Sequence, residues 1–295
     1  PVSFKDILKN YSSSENLGFP YTFTQEDFNK FNVSAEKTEK YIVFLHGLGE
    51  SASKYNHIAE DLNLDSNTGY LSVDLRGHGL SSGDDLHIDS YDDYEKDLCF
   101  FIKNIIKDKK YIVVAHSTGA LVSLYCLAKK SIKPQKLLLS SVFLGIRYPT
   151  KLIPKFVFNF IVTFINMMGL SKWRFPSPTK NMKFIDNPYT TSKLRFDEII
   201  RDKRYLRGPS LAWVSASLQA IKFVFSRKNI ENIKQDINIF LPLKDLVVDS
   251  NATFKWCRKL RFFSQASVLS IVFFNSKHEI FYEQDRIYKK AIKLL

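Results

Sequence analysis

Ser117 lies in the stretch Val113-Val114-Ala115-His116-Ser117-Thr118-Gly119-Ala120, where a β-branched apolar run ends at a small residue and a glycine opens a helical segment. A serine hydroxyl is a weak nucleophile until a neighbouring base takes its proton. The tight strand-to-helix turn that exposes such a serine admits only small residues two before and two after it. Ala115 stands where that pattern usually has its first glycine, an addition of one methyl. The competing reading of Ser117 is a plain N-cap of the helix that follows.

A serine in this turn takes its acid and then its histidine from later in the chain. Of the six histidines, His46, His57, His78, His87, His116 and His278, only His278 follows Ser117. It is separated by Asn275-Ser276-Lys277 from the apolar run Val268 to Phe274, so it falls at a strand's C-terminal end, where sites in open α/β sheets form. The acid should follow the preceding strand, Ile237 to Leu241. Asp245 is nearer the strand end and is the first choice; Asp249 is the alternative, with a helix cap near Asn251 as its other role. Acyl transfer also needs donors for the oxyanion. The backbone amides of Leu48, in the turn Leu45-His46-Gly47-Leu48-Gly49-Glu50, and of Thr118, at a helix N-terminus, are the candidates. A second glycine loop, Asp74-Leu75-Arg76-Gly77-His78-Gly79-Leu80-Ser81-Ser82, is expected to be structural.

Six short apolar runs, at Tyr41–Leu45, Tyr70–Val73, Tyr111–Ala115, Leu137–Leu139, Ile237–Leu241 and Val268–Phe274, have the composition of buried strands. Amphipathic stretches at Tyr91–Ile106, Ala120–Lys129, Ala252–Leu260 and from Gln284 onward alternate with them. That order predicts an α/β fold with a mostly parallel, doubly wound sheet. The alternation breaks between Ser141 and Gln235, where Pro149, Pro154, Pro176, Pro178, Pro188 and Pro209 punctuate aromatic and basic sequence. The expected organisation is therefore a core at 1–140 and 236–295 with a helical cap inserted at 141–235.

Within that insertion Phe156 to Ser171 carries no charge over 16 residues, short of the roughly 20 that span a bilayer. It remains open as a span, a buried cap helix, or a lid helix that lines an apolar pocket or dips into an interface.

With 295 residues, 45% apolar, the chain can bury a large core and is not disordered. Its net charge of +13 admits an anionic partner. Residues 146–235 hold 17 Lys/Arg against 5 Asp/Glu, a net of +12, which leaves +1 for the rest. The charge is thus expected to serve the cap against an anionic membrane surface. Nucleic acid is not expected, because the basic residues are mixed with aromatics and no binding motif accompanies them.

Cys99, Cys126 and Cys257 are too scattered for a disulfide framework, and the opening residues show no basic region followed by an apolar run, so a cytoplasmic location is expected, with peripheral contact on the inner membrane face. The glycine pairs have neither a Gly-x-Gly-x-x-Gly nor a Walker lysine, and no His/Cys/Asp cluster has ligand spacing. Neither a cofactor nor a metal is expected.

Taken together, the glycine turn at His46–Glu50, the Asp74–Ser81 loop, the serine elbow, Asp245-Leu246-Val247-Val248-Asp249 and His278-Glu279-Ile280-Phe281-Tyr282-Glu283 resemble the α/β-hydrolase superfamily, in particular its bacterial lysophospholipase and monoacylglycerol lipase branch. Arg207-Gly208-Pro209-Ser210-Leu211-Ala212-Trp213-Val214 looks like a cap helix of that branch. The resemblance implies a serine esterase with Ser117, Asp245 and His278 as its triad, acting on a lipid ester with one acyl chain. Glu50, His116, Phe156, Phe160, Phe164 and Met168 are the expected substrate contacts, the aromatic and methionine side chains forming a lining for the tail. A general carboxylesterase on small esters, or a catalytically idle ligand-binding scaffold, are the other readings.

Overall fold

A computed structural model describes residues 38–145, 155–177, 179, 181–201 and 208–295, without the side chains of 155, 156 and 159. Six strands form one parallel sheet: β1 (Lys40–Leu45), β2 (Thr68–Val73), β3 (Lys110–His116), β4 (Lys136–Ser140), β5 (Asp236–Pro242) and β6 (Val268–Phe273), in the order β2-β1-β3-β4-β5-β6.

The inner strands β1, β3, β4 and β5 read as nearly unbroken apolar runs because both of their faces are covered, whereas the edge strands β2 and β6 are only partly buried. Val43, Leu45, Val113, Ala115, Leu137, Leu139, Ile237 and Ile239 point into a cluster on one face. There they meet α2 (Tyr91–Phe101), α3 (Ser117–Ala128), α6 (Leu211–Val224) and α8 (Ser250–Phe263). The alternate residues Ile42, Phe44, Val114, Leu138 and Phe240 meet α1 (Asn56–Asp61) and α9 (Asp285–Ile292) on the opposite face.

The chain between β4 and β5 carries α4 (Lys155–Met167), α5 (Lys193–Arg201), α6 and α7 (Arg227–Ile230) among its described residues. It is not a uniform appendage. Helix α6 starts on Ser210, whose hydroxyl accepts the Trp213 N–H at 3.0 Å, and buries 9 of its 14 residues. Of the segment 207–214, Arg207 lies outside the described residues; the remainder forms the start of this packed helix.

Register brings the strand ends together. Leu45 pairs with Ala115, His116 with Ser140, Ser140 with Phe240, and Pro242 with Phe273. The loops that leave this C-terminal edge carry Gly47 to Glu50, Ser117, Asp245 and His278. Four distant segments of sequence therefore meet at one place.

Candidate active site

β3 ends at His116 in an extended conformation, and Ser117 turns the chain with φ +49, a left-handed value that costs energy for a side chain with a Cβ. The turn is held from below. The Gly119 N–H donates to the His46 carbonyl at 3.1 Å, and a Cβ on Gly119 would come within 2.5 Å of the Leu45 oxygen and 2.7 Å of the His46 oxygen. Glycine is required there by the close approach of two backbones. Ala115, in the middle of the sheet, has room for its methyl and is fully buried.

His278 Nε2 lies 3.1 Å from Ser117 Oγ, and its Nδ1 lies 2.9 Å from Asp245 Oδ2. The other Asp245 oxygen accepts the N–H groups of Val247 and Val248 at 2.8 and 3.0 Å. An ionised carboxylate only accepts, so Nδ1 must carry a proton and Nε2 is left to accept from the serine hydroxyl. Both side chains are buried. Burial, the largest single influence, would lower the His278 pKa, but the charge and hydrogen bond of Asp245 together with the Glu279 and Glu50 charges outweigh it and the net direction is upward from 6.5. Burial also opposes the charge on Asp245, yet His278 and the two backbone donors hold it below its usual range. Asp249 instead caps α8, accepting the Asn251 N–H at 3.1 Å.

The histidine loop is tied to the inserted segment. The His278 N–H donates to Pro188 O at 3.3 Å, and the Glu279 N–H to Tyr189 O at 2.9 Å. From the core, Ser141 Oγ donates to His278 O at 2.5 Å.

The glycine turn after β1 is equally fixed. His46 accepts the Leu75 N–H on Nε2 at 3.0 Å and donates from Nδ1 to Gly47 O at 2.7 Å, and burial keeps it neutral. Asp74 accepts from the Ala52 and Leu80 N–H groups at 2.6 and 2.9 Å. Gly79, at φ +53, has no space for a Cβ, which would overlap the Asp74 carboxylate. The second glycine loop thus braces the first. Leu48 borders the cavity beside Ser117. Thr118 is the second residue of α3, where a backbone N–H has no intrahelical acceptor.

That cavity measures about 260 Å³. Ser117, His278, Glu50 and His116 are in its wall, as are Pro188, Tyr189 and Pro209 from the inserted segment. Phe160, Phe164 and Met168 are not: they are 68, 52 and 67% exposed and point to solvent, which corrects the expectation that they line the pocket. α4 is apolar on both sides. Phe158, Val162 and Ile165 face the core, and at 3.6 residues per turn that sends 160, 164 and 168 outward. The side chain of Phe156 lies outside the described residues.

His116 is fully enclosed, with its pKa pushed down to about 3 by burial, and its Nδ1 has no hydrogen-bond partner among the described residues. Glu50 Oε2 accepts the Gly47 N–H and the Tyr55 hydroxyl at 2.5 and 2.8 Å. One group absent from the sequence reading is Lys54, whose ammonium bridges Glu50 and Glu279. Glu50, His116 and Glu279 offer ligand atoms within 4.8 Å of one another, but the lysine already supplies the cation between the two carboxylates. No described helix is long and apolar enough to cross a membrane.

Residues 36–285 match the serine aminopeptidase S33 family. The chain belongs to this family of α/β-hydrolases. The S33 chain is 28% identical over 271 residues to a probable lysophospholipase L2 of Haemophilus influenzae, covering 86% of this chain and 82% of the other. A shorter match, 34% over 91 residues, is to a monoglyceride lipase homolog of monkeypox virus, covering 29 and 32% of the two chains. Among solved structures, the monoacylglycerol lipase of Paleococcus ferrophilus aligns with a TM-score of 0.68 at 18% identity, over 86% of this chain and 93% of that one. The monoglyceride lipase of Saccharomyces cerevisiae aligns at 0.68 and 14%, over 87 and 84%. These structural matches establish the shared fold, and with the family they make the S33 chain a hydrolase.

Proposed function

We propose that this S33 hydrolase cleaves the carboxylic ester of a lipid with a single acyl chain, a lysophospholipid or a monoacylglycerol, through an acyl-enzyme on Ser117. The observation that carries the reading is the continuous relay from Asp245 through His278 to a serine held in a left-handed turn, at 2.9 and 3.1 Å. The names of the curated relatives supply the substrate class.

In the reaction, Ser117 Oγ attacks the ester carbonyl carbon as its proton passes to His278 Nε2. The Leu48 and Thr118 amides hold the oxyanion. Collapse breaks the ester C–O bond, and the leaving alcohol takes the proton from His278. Water then attacks the acyl carbonyl, gives its proton to His278, and Ser117 Oγ recovers that proton as the fatty acid departs. Glu50, His116 and Glu279 contribute to the cavity wall beside Ser117. The segment 141–235 acts as the cap, with the outward face of α4 meeting the lipid phase.

The cavity volume of about 260 Å³ favours a second reading, a carboxylesterase for small esters, since ligand pockets commonly span about 300–1,000 Å³. A panel of lysophospholipids, monoacylglycerols, short p-nitrophenyl esters and an aminoacyl anilide, run with Ser117→Ala, separates the two. Lipid turnover that vanishes in the variant, with fluorophosphonate labelling of wild type alone, is the expected result. Turnover of short esters only moves the assignment to the second reading, and wild-type turnover by Ser117→Ala overturns both.

A further inference from the structure

Helix α8 has a solvent face that the core does not use. Trp256, Cys257 and Leu260 pack inward. On the other side Phe254, Arg258 and Phe262 recur every four residues, one row about 12 Å long, with Lys255 and Lys259 in the adjoining row; all five are exposed. The helix contains four basic residues, Lys255, Arg258, Lys259 and Arg261, and no acidic one. These four border an open depression of about 710 Å³ whose apolar floor is made by phenylalanines, among them Phe225 and Phe263.

The cations of this face differ from the ion-paired ones of the inserted segment. There, Lys172 pairs with Asp84 at 2.8 Å, Arg195 with Glu198 at 3.2 Å, Arg227 with Glu231 at 2.8 Å, and Lys193 with Asp197. On α8, Lys259 and Arg261 reach only carbonyl oxygens, of Phe225 at 3.2 Å and Val268 at 3.1 Å, and none of the four meets a carboxylate among the described residues. Several basic charges of the segment, at 147, 151, 180, 203, 204 and 207, lie outside the described residues. Lys183, Lys222, Lys228 and Lys234 of the segment have no ion pair among the described residues either, so what sets the α8 face apart is the clustering of its four cations with exposed phenylalanines.

We propose that this face of α8 docks onto an anionic lipid bilayer, its cations on lipid phosphates and Phe254 and Phe262 at the acyl boundary. Interfacial helices combine Lys/Arg with bulky apolar side chains in this way. Each basic group near an anionic leaflet adds attraction that salt screens. Nucleic-acid backbones satisfy the cations but offer little to two exposed phenylalanines. Because α8 starts beyond Asp245 and ends near the first residue of β6, the depression lies toward the sheet edge opposite the one that carries Ser117, and docking lays a flank of the sheet on the membrane.

The proposal does not depend on the catalytic reading, and flotation tests it. Wild type is expected to bind phosphatidylcholine vesicles containing phosphatidylglycerol, to ignore pure phosphatidylcholine, and to release at high salt. Arg258→Glu with Lys259→Glu should weaken binding about tenfold or more. Phe254→Ser with Phe262→Ser should leave a weaker association that salt abolishes completely. Lys172→Glu with Lys183→Glu, in the inserted segment, should change little, and every variant should keep the wild-type melting temperature because the substituted side chains are exposed. Inorganic phosphate at matched ionic strength should not compete. Wild-type affinity in the Arg258/Lys259 variant, equal loss in the Lys172/Lys183 variant, or binding of a DNA duplex or acidic peptide without vesicle binding would each overturn it.

Discussion

Lys54 and Glu279 form a buried ion pair beside His278, with side chains only 5 and 2% exposed, and the same ammonium lies 2.6 Å from Glu50 Oε1. The pair fastens the glycine turn after β1 to the histidine loop after β6, the two loops that must hold still around Ser117. Burial disfavours the lysine's charge, but the two carboxylates outweigh it and raise its pKa. Glu279 is pushed up by burial and by the neighbouring Glu50 charge. Burial opposes the charge on Glu50 too, yet the Lys54 ammonium above all holds it low.

Lys54→Met should therefore destabilise the fold by about 3–5 kcal/mol at pH 7, because it leaves two carboxylates buried without a counter-charge. In that variant the folded carboxyl pKa values sit above the unfolded ones, so the folded state binds more protons and the deficit should shrink as pH falls toward 5. Urea unfolding at several pH values reads both effects. An unfolding midpoint equal to wild type at pH 7 would show that the pair does not hold the loops.

The His278–Asp245 contact sets a pH profile. The base must be neutral to accept the serine proton, and its pKa is displaced upward by Asp245. The acidic limb of kcat/KM should accordingly have its midpoint above the ordinary histidine value of about 6.5. Asp245→Asn removes the strongest raising influences and leaves burial, the largest single one, opposed only by the Glu279 and Glu50 charges, so the midpoint should move down. The same substitution lets Nδ1 lose its proton to Nε2, and kcat should fall by about 10⁴-fold. A profile whose midpoint stays in place in Asp245→Asn would separate the limb from His278.

Much of this arrangement is legible in the sequence. The strands could be found because a parallel strand covered on both faces is one apolar run, and Ser117, Asp245 and His278 because each follows such a run in a fixed order. Lys54 was not legible: 225 residues separate it from Glu279, and nothing in the local spacing of either marks a partner. The basic face of α8 is hidden by averaging, since the core's net of +1 sums a cluster of four cations with acids that lie elsewhere. Pro188 and Pro209 were visible as chain breaks, but only their return to the sheet edge shows that they wall the cavity.

The direction of Phe160, Phe164 and Met168 is not legible in the sequence because α4 is apolar around most of its circumference, so periodicity does not tell which side is inward. That ambiguity now makes a prediction with two arms. Val162 is 3% exposed and Phe164 is 52% exposed, half a turn apart on the same helix. Val162→Ala removes buried methyl groups and should cost about 2 kcal/mol in unfolding free energy. Phe160→Ser with Phe164→Ser alters side chains that touch mainly water and should change stability by about 0.5 kcal/mol or less. Should the outward face meet the lipid phase, the double variant would hydrolyse a short soluble ester at the wild-type rate and lose several-fold on micellar lysophospholipid. Equal rates on both substrates would instead make the exposed face incidental to turnover.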